Sequence, residues 1–255
     1  MGINWPLVII LCGIALPGIY IAVPRLIDYL LKENSDELKK RISRIAIAQT
    51  LVMVFLMCLG GSVLANYTGL GDPILNALLQ KSAIVVPIQE MLLPVFIGTI
   101  IGLLGFFILY YWLVSSFLDS HTLNIMQKIR GALKLDGSML YGGVVEEILA
   151  RWGLMNLVLF FVLLFNKQLS IAILWISIIV SSIFYTLSQL PAYFAAGCLS
   201  TRRFAYSLII LNLWLGIVFG YIFWQYGILA AITSHILFHL GWWFYDPPQV
   251  EGAKS

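Results

Sequence analysis

Seven apolar runs dominate the sequence, and each is long enough to cross a lipid bilayer. A hydrocarbon core of about 30 Å takes about 20 helical residues. Runs of that order lie at 5–31, 44–65, 86–117, 138–165, 169–190, 204–223 and 226–245. Inside lipid, every backbone N–H and C=O must be satisfied within the protein, so an unbroken apolar run is read as a helix. The predicted fold is therefore all-α, a polytopic membrane helix bundle of seven to eight transmembrane helices. The stretch Pro73–Gln80 reads as a short interfacial helix, and Pro87 and Pro94 are placed to break the third run in two. With 61% hydrophobic and 11% charged residues, the chain lies far from the soluble norm of roughly 45–50% and about 25%. No polar segment is long enough for a second core, so 1–137 (helices and loops) and 138–245 (the chemistry-bearing core) form one membrane-embedded unit.

Loop charge predicts the topology. Lys32, Lys39, Lys40, Arg41 and Arg44 form the densest basic cluster, and the positive-inside rule makes that loop cytoplasmic. The N-terminus is then outside. Lys128, Arg130 and Lys134, then Arg202 and Arg203, then a tail with Lys254 fall inside, while Lys81 and Lys167 fall outside. The net charge of +3 is divided among these loops, which marks orientation and gives no reason to expect a nucleic-acid partner. Cys12, Cys58 and Cys198 sit in apolar surroundings without a CxxC spacing, so neither a disulfide framework nor a thiolate metal site is predicted. The first run lacks a basic n-region and a small-residue cleavage site and is read as a retained helix. Pro6 stands where a myristoylation signal needs Ser or Thr. Trp and Tyr near the run ends suit interfacial belts, and the pairs Gly98/Gly102 and Gly216/Gly220 suit close helix approach.

Against this background a few polar residues at membrane depth carry the functional signal, because a charge in mid-bilayer costs roughly 3 kcal/mol or more unless it is compensated. Glu146 and Glu147 lie about two turns into the fourth run. Adjacent residues on an α-helix point about 100° apart, so the two carboxylates face different surroundings. Arg151 follows Glu147 at i+4, the spacing of a same-face ion pair, which leaves Glu146 free to face a cavity as a general base toward water. A buried ion-pair network that only holds helices together explains the same residues. Gln189 lies near the end of the fifth run, before Pro191, and His235 and His239 share one face of the last, where they can hold one metal ion or one oxyanion. By depth, Glu146, Gln189, His235 and His239 fall at one level on three helices, as the lining of a cytosol-facing pocket would.

The combination Glu146-Glu147-x-x-x-Arg151, Tyr185-x-x-x-Gln189 and His235-x-x-x-His239, with Gln189-Leu190-Pro191, resembles the CAAX prenyl protease and bacteriocin-processing family of intramembrane proteases over roughly residues 138–245. The resemblance implies that Glu146 activates a water. It makes Glu147 and Arg151 structural or substrate-positioning, and His235 and His239 oxyanion donors or, with Glu146, metal ligands. Zinc and no metal at all are both compatible with it. It further implies a peptide or protein substrate, prenylated in the best-known members, a lipid environment, and the plasma or inner membrane if the source is bacterial. The departure is Gln189, where the family carries histidine. Glutamine hydrogen-bonds but does not titrate near neutral pH. Three accounts stand: a natural pseudoprotease, His239 supplying the missing imidazole, or an introduced inactivating change. Outside the protease class, the alternatives are a membrane scaffold or regulator and a small transporter or proton relay.

Overall fold

The structure, a computed structural model, describes residues 2–166 and 168–248. Lys167 and Lys254, both used above for topology, lie outside the described residues. The described chain is all-helical. Helix α1 is Trp5–Leu30, α2 is Asp36–Thr68, the short α3 is Pro73–Leu79, and α4 is Val85–Phe117. Then come α5 (Ser120–Gly137), α6 (residues 138–165), α7 (Ile171–Ala195), α8 (Arg202–Tyr226) and α9 (Ile228–Tyr245). Seven helical stretches among the described residues are long and apolar enough to span a membrane, with α5 and α6 forming one of them. The seven-run reading of the sequence holds, and Pro73–Leu79 is the expected short helix.

Most helix starts follow from local chemistry. Ser35, Asp72, Asp119, Ser170 and Thr201 are N-caps whose side-chain oxygens accept from the amide three residues on, satisfying donors that have no partner within the helix. Four sequence readings are corrected. Proline does not divide α4: Pro87 falls in the first turn, where the amide needs no partner, and Pro94 is carried inside the helix. Helix α7 also continues through Pro191 to Ala195, so Gln189 sits inside a helix and not at its end. The basic cluster Lys39, Lys40, Arg41 and Arg44 rides on the first turns of α2 and not in a loop. Lys128, Arg130 and Lys134, expected in a loop, belong to α5, whose mixed polarity gives no apolar run.

Lys134, at φ 60° and ψ 179°, breaks the path between the amphipathic α5 and the membrane-spanning α6. Arg25 of α1 braces this kink, donating to the Asp136 carboxylate at 2.6 and 2.8 Å and to the Leu133 carbonyl at 2.7 Å. Helix α6 is the centre of the bundle. Its first part packs on α1 and α9, its middle on α2 and α7. Much of it is π-wound, over Ser138–Val145 and Ile148–Met155, a winding that tends to mark functional positions. Close approach depends on glycine. A Cβ at Gly18 would meet the Leu140 carbonyl oxygen at 2.4 Å, and one at Gly216 would meet Ser182 Oγ at 2.2 Å. The latter bears out the close approach expected of the Gly216/Gly220 pair.

The last span is fixed at its start by Asp72. Its buried carboxylate accepts from the Leu75 amide at 2.7 Å and from the Leu229 amide at 2.8 Å, capping α3 and α9 together. Gly227, at φ 92°, makes the turn, and a Cβ there would lie 2.6 Å from Asp72 Oδ2. Burial pushes the Asp72 carboxyl up from its ordinary range, and the backbone donors around it act in the opposite direction. Removing both acceptors with Asp72→Ala strands two amides and is expected to cost roughly 2–4 kcal/mol. Asp72→Asn, which retains one acceptor, should lose about half as much. Thermal unfolding of the detergent-solubilised protein checks both.

Candidate active site

The residues singled out from the sequence come together. Glu146, Glu147, Arg151, Gln189, His235 and His239 all line one cavity of about 180 Å³, bounded by α4, α5, α6, α7, α8 and α9. The two adjacent carboxylates have separate surroundings. Glu147 is 1% exposed. Its Oε1 lies 2.8 Å from His235 Nδ1 and its Oε2 lies 3.5 Å from Arg151 Nε. A carboxylate only accepts, so Nδ1 of His235 carries the hydrogen and Nε2 is left for other partners. The Glu147–Arg151 pair expected from i,i+4 spacing is present, and the His235 bond ties it to the last span.

Glu146 faces the cavity and is partly exposed. Its Oε1 accepts from Gln189 Nε2 at 3.4 Å. Gln189 is itself oriented from the far side, where its Oε1 accepts from Asn212 Nδ2 at 2.8 Å. The glutamine is thus held with its donor end toward Glu146. Serial hydrogen bonds link α8, α7 and α6 through Asn212, Gln189 and Glu146.

His235 stacks between rings. Its centroid is 4.4 Å from Phe219 at 25° and 4.8 Å from His239 at 15°. His239 Nε2 is buried with no hydrogen-bond partner in the protein. Room for its ring is made by Gly142, where a Cβ would lie 2.3 Å from Nε2; at neighbouring Gly143 a Cβ would meet Ile236 side chain at 2.5 Å and its backbone at 3.1 Å. The glycine pair before the glutamates therefore sets how closely α9 approaches α6. Among the described residues no group of three or more His, Cys, Asp or Glu side chains is arranged to hold a metal ion. Glu146, His235 and His239 share the cavity without forming such a group.

Sequence reasoning missed Asn212, although a lone amide within the apolar run Leu211–Trp214 is the kind of membrane-depth polar residue that signals function. It also missed Arg130, read only as a topology marker. Arg130 lines the cavity and is 9% exposed.

Two consequences follow from the buried groups. Glu147→Ala leaves Arg151 charged and unpaired in the core and should cost about 3–5 kcal/mol of stability. Combining it with Arg151→Met should recover most of that in the same thermal assay. Gly142→Ala pushes the His239 ring out of place, and the imidazole resonances of the solubilised protein should shift for His239 while the helical circular dichroism is unchanged.

Residues 132–241 match the family described as type II CAAX prenyl endopeptidase Rce1-like. No curated protein and no solved structure gives a significant match to the chain. The matched segment runs from the end of α5 to α9 and contains the twin glutamates, Gln189, Asn212 and both cavity histidines. Residues 132–241 are thus similar to an Rce1-like CAAX endopeptidase domain, and they lie in an integral membrane protein.

Proposed function

We propose that the chain is an intramembrane peptide hydrolase in which Glu146 is the base. The observation that carries this reading is the meeting, in one cavity, of the Glu146 carboxylate and the unpartnered His239 Nε2. Glu146 takes a proton from water as the water oxygen bonds to the peptide carbonyl carbon. The negative charge that develops on the carbonyl oxygen is received by the histidines, with His239 Nε2 as the natural donor because nothing in the protein uses it. The C–N bond then breaks, and Glu146 returns its proton to the leaving amine. Glu147 holds His235 Nδ1 and thereby sets the ring's orientation, as the carboxylate does in an acid–base triad. The substrate is a peptide or protein segment reaching the cavity from the cytosolic face, with α5 lying at that face and the N-terminus outside; prenylated tails are the substrates to try first. Membrane lipid surrounds the bundle as its solvent.

Gln189 makes this a slow enzyme. Its amide is a donor to Glu146 and cannot carry a proton between water and product, so the proton passes through Glu146 alone. Assistance by a positioned acid or base is worth about 10²–10⁴-fold. In liposomes with a quenched fluorescent farnesylated peptide, Glu146→Gln should abolish cleavage, and Gln189→His should raise it at least about tenfold. A second reading, a catalytically impaired scaffold or regulator, is favoured by the hydrogen bonds that lock Gln189 on both sides. It takes precedence if the Gln189→His protein still cleaves nothing across a peptide library.

A further inference from the structure

Lys134 holds a backbone conformation that a lysine has no intrinsic reason to adopt. At φ 60° and ψ 179° it lies in a region open essentially to glycine alone. Glycine would make the same joint between α5 and α6 without strain. An outlier of this kind marks a functional position, and what lysine adds over glycine here is its side chain. That side chain is exposed, and among the described residues no carboxylate lies within ion-pair distance of its ammonium. Asp136, two residues on, is engaged through both oxygens by Arg25. Lys134 is therefore an uncompensated cation beside a neutralised pair.

The cation borders an open groove of about 560 Å³, whose other walls are Leu135, Asp136, Met139 and Trp243. The groove lies between the start of α6 and the last turn of α9, at the end of the bundle where α2 begins. Two kinds of surface meet in it: an apolar wall of Leu135, Met139 and the Trp243 indole, and the Lys134 ammonium. An indole close to the end of a span sits at headgroup depth, and a lysine there carries its charge to the same level on an apolar stem. We propose that the groove binds one anionic phospholipid, with its phosphate on Lys134 and its glycerol and first acyl carbons against Leu135, Met139 and Trp243. The volume is in the range of small-molecule sites and far larger than an inorganic ion needs. Selectivity follows from charge. With Asp136 taken, the groove presents one unpaired positive charge, which a phosphodiester of net charge −1 matches, whereas a choline headgroup sets a second cation beside it. Helix α5 walls the large cavity through Ile129, Arg130 and Leu133, so the lipid sits at the joint from which that wall extends.

The test reads lipid retention and stability, neither of which depends on turnover. The full chain is exchanged into mixed micelles holding equimolar phosphatidylglycerol and phosphatidylcholine of identical acyl chains, and retained lipid is counted by native mass spectrometry. One phosphatidylglycerol should be held, at least about fivefold in preference to phosphatidylcholine, the ratio that one lysine beside an anionic headgroup supplies. Lys134→Gln should bring the ratio to about one. Trp243→Ala should weaken retention of both lipids while the ratio persists. Lys134→Gly separates the site from the strain: in phosphatidylcholine nanodiscs its thermal midpoint should rise by about 2–4 °C, and phosphatidylglycerol, which raises the midpoint of the unaltered chain, should no longer raise it. Lys40→Gln combined with Arg41→Gln, on the exposed first turns of α2, should leave the ratio unchanged. A ratio near one in the unaltered chain, or one that survives Lys134→Gln, overturns the proposal. So does a ratio lost in the α2 double variant instead, which would assign the preference to general surface charge. Displacement of the lipid by millimolar inorganic phosphate also overturns it, because a free anion would then be the ligand. A lowered midpoint in Lys134→Gly does the same by making the lysine a structural element of the joint.

Discussion

The bundle is arranged around one buried carboxylate. Taking Glu147 out of water carries a desolvation penalty of several kcal/mol, which only close partners can offset. One partner, Arg151, comes from the same helix; the other, His235, comes from α9. The second bond is the consequential one, because it fixes the rotation of the last span about its own axis. With His235 turned toward Glu147, His239 one turn later must lie over Gly142, and Ile236 over Gly143. Any larger residue at either glycine would push the two helices apart. Glycine pair, glutamate pair and histidine pair are thus one packing solution spread over two helices, and Asp72 secures it by capping α9 at its first turn.

Separating two neighbouring carboxylates by environment is what, in the proposed hydrolysis, makes one structural and leaves the other as the base. Glu147 has ionic partners, Arg151 and His235, and is almost fully buried. Glu146 has only neutral hydrogen-bond donors and faces that space. If Glu146 had been the residue paired with Arg151, its lone pairs would be committed and no base would remain. The pair itself is α-helical, between two π-wound stretches, and the Glu146 amide bonds to the Tyr141 carbonyl five residues back.

Much of this was legible in the sequence because lipid leaves few choices. Uncompensated charge is costly enough that Glu146, Glu147, Arg151, His235 and His239 could be picked out by type and spacing alone, and apolar run length gave the seven spans. What escaped was whatever depends on partners brought from far along the chain. Arg130 carries the same formal charge as Lys128 and Lys134 beside it, and only the fold distinguishes the one that turns inward to Trp242 and Asp246. Helix α5 escaped because an amphipathic helix lacks the unbroken apolar run that marks a span. The prolines misled for a related reason. A missing amide hydrogen bond is a local penalty, and the packing of α4 and α7 on their neighbours outweighs it, so Pro94 and Pro191 sit inside continuous helices.

Gln189 is best understood through its two hydrogen bonds. A histidine at this position could donate from one ring nitrogen toward Glu146 and accept at the other from Asn212, which is the same polarity that the glutamine amide presents. The amide therefore preserves every polar contact of the site while removing its ability to titrate. A loss of function tolerated by drift would be expected to leave buried polar groups stranded, with the penalties that follow. Here Gln189 and Asn212 satisfy each other, and outside the Glu147–Arg151 ion pair the buried side-chain atoms without a hydrogen-bond partner are His239 Nε2 and Arg130 Nη2. In the proposed hydrolysis, proton transfer rests on Glu146 alone while the carbonyl is received by histidine, so binding and turnover would be governed by different residues of the same cavity.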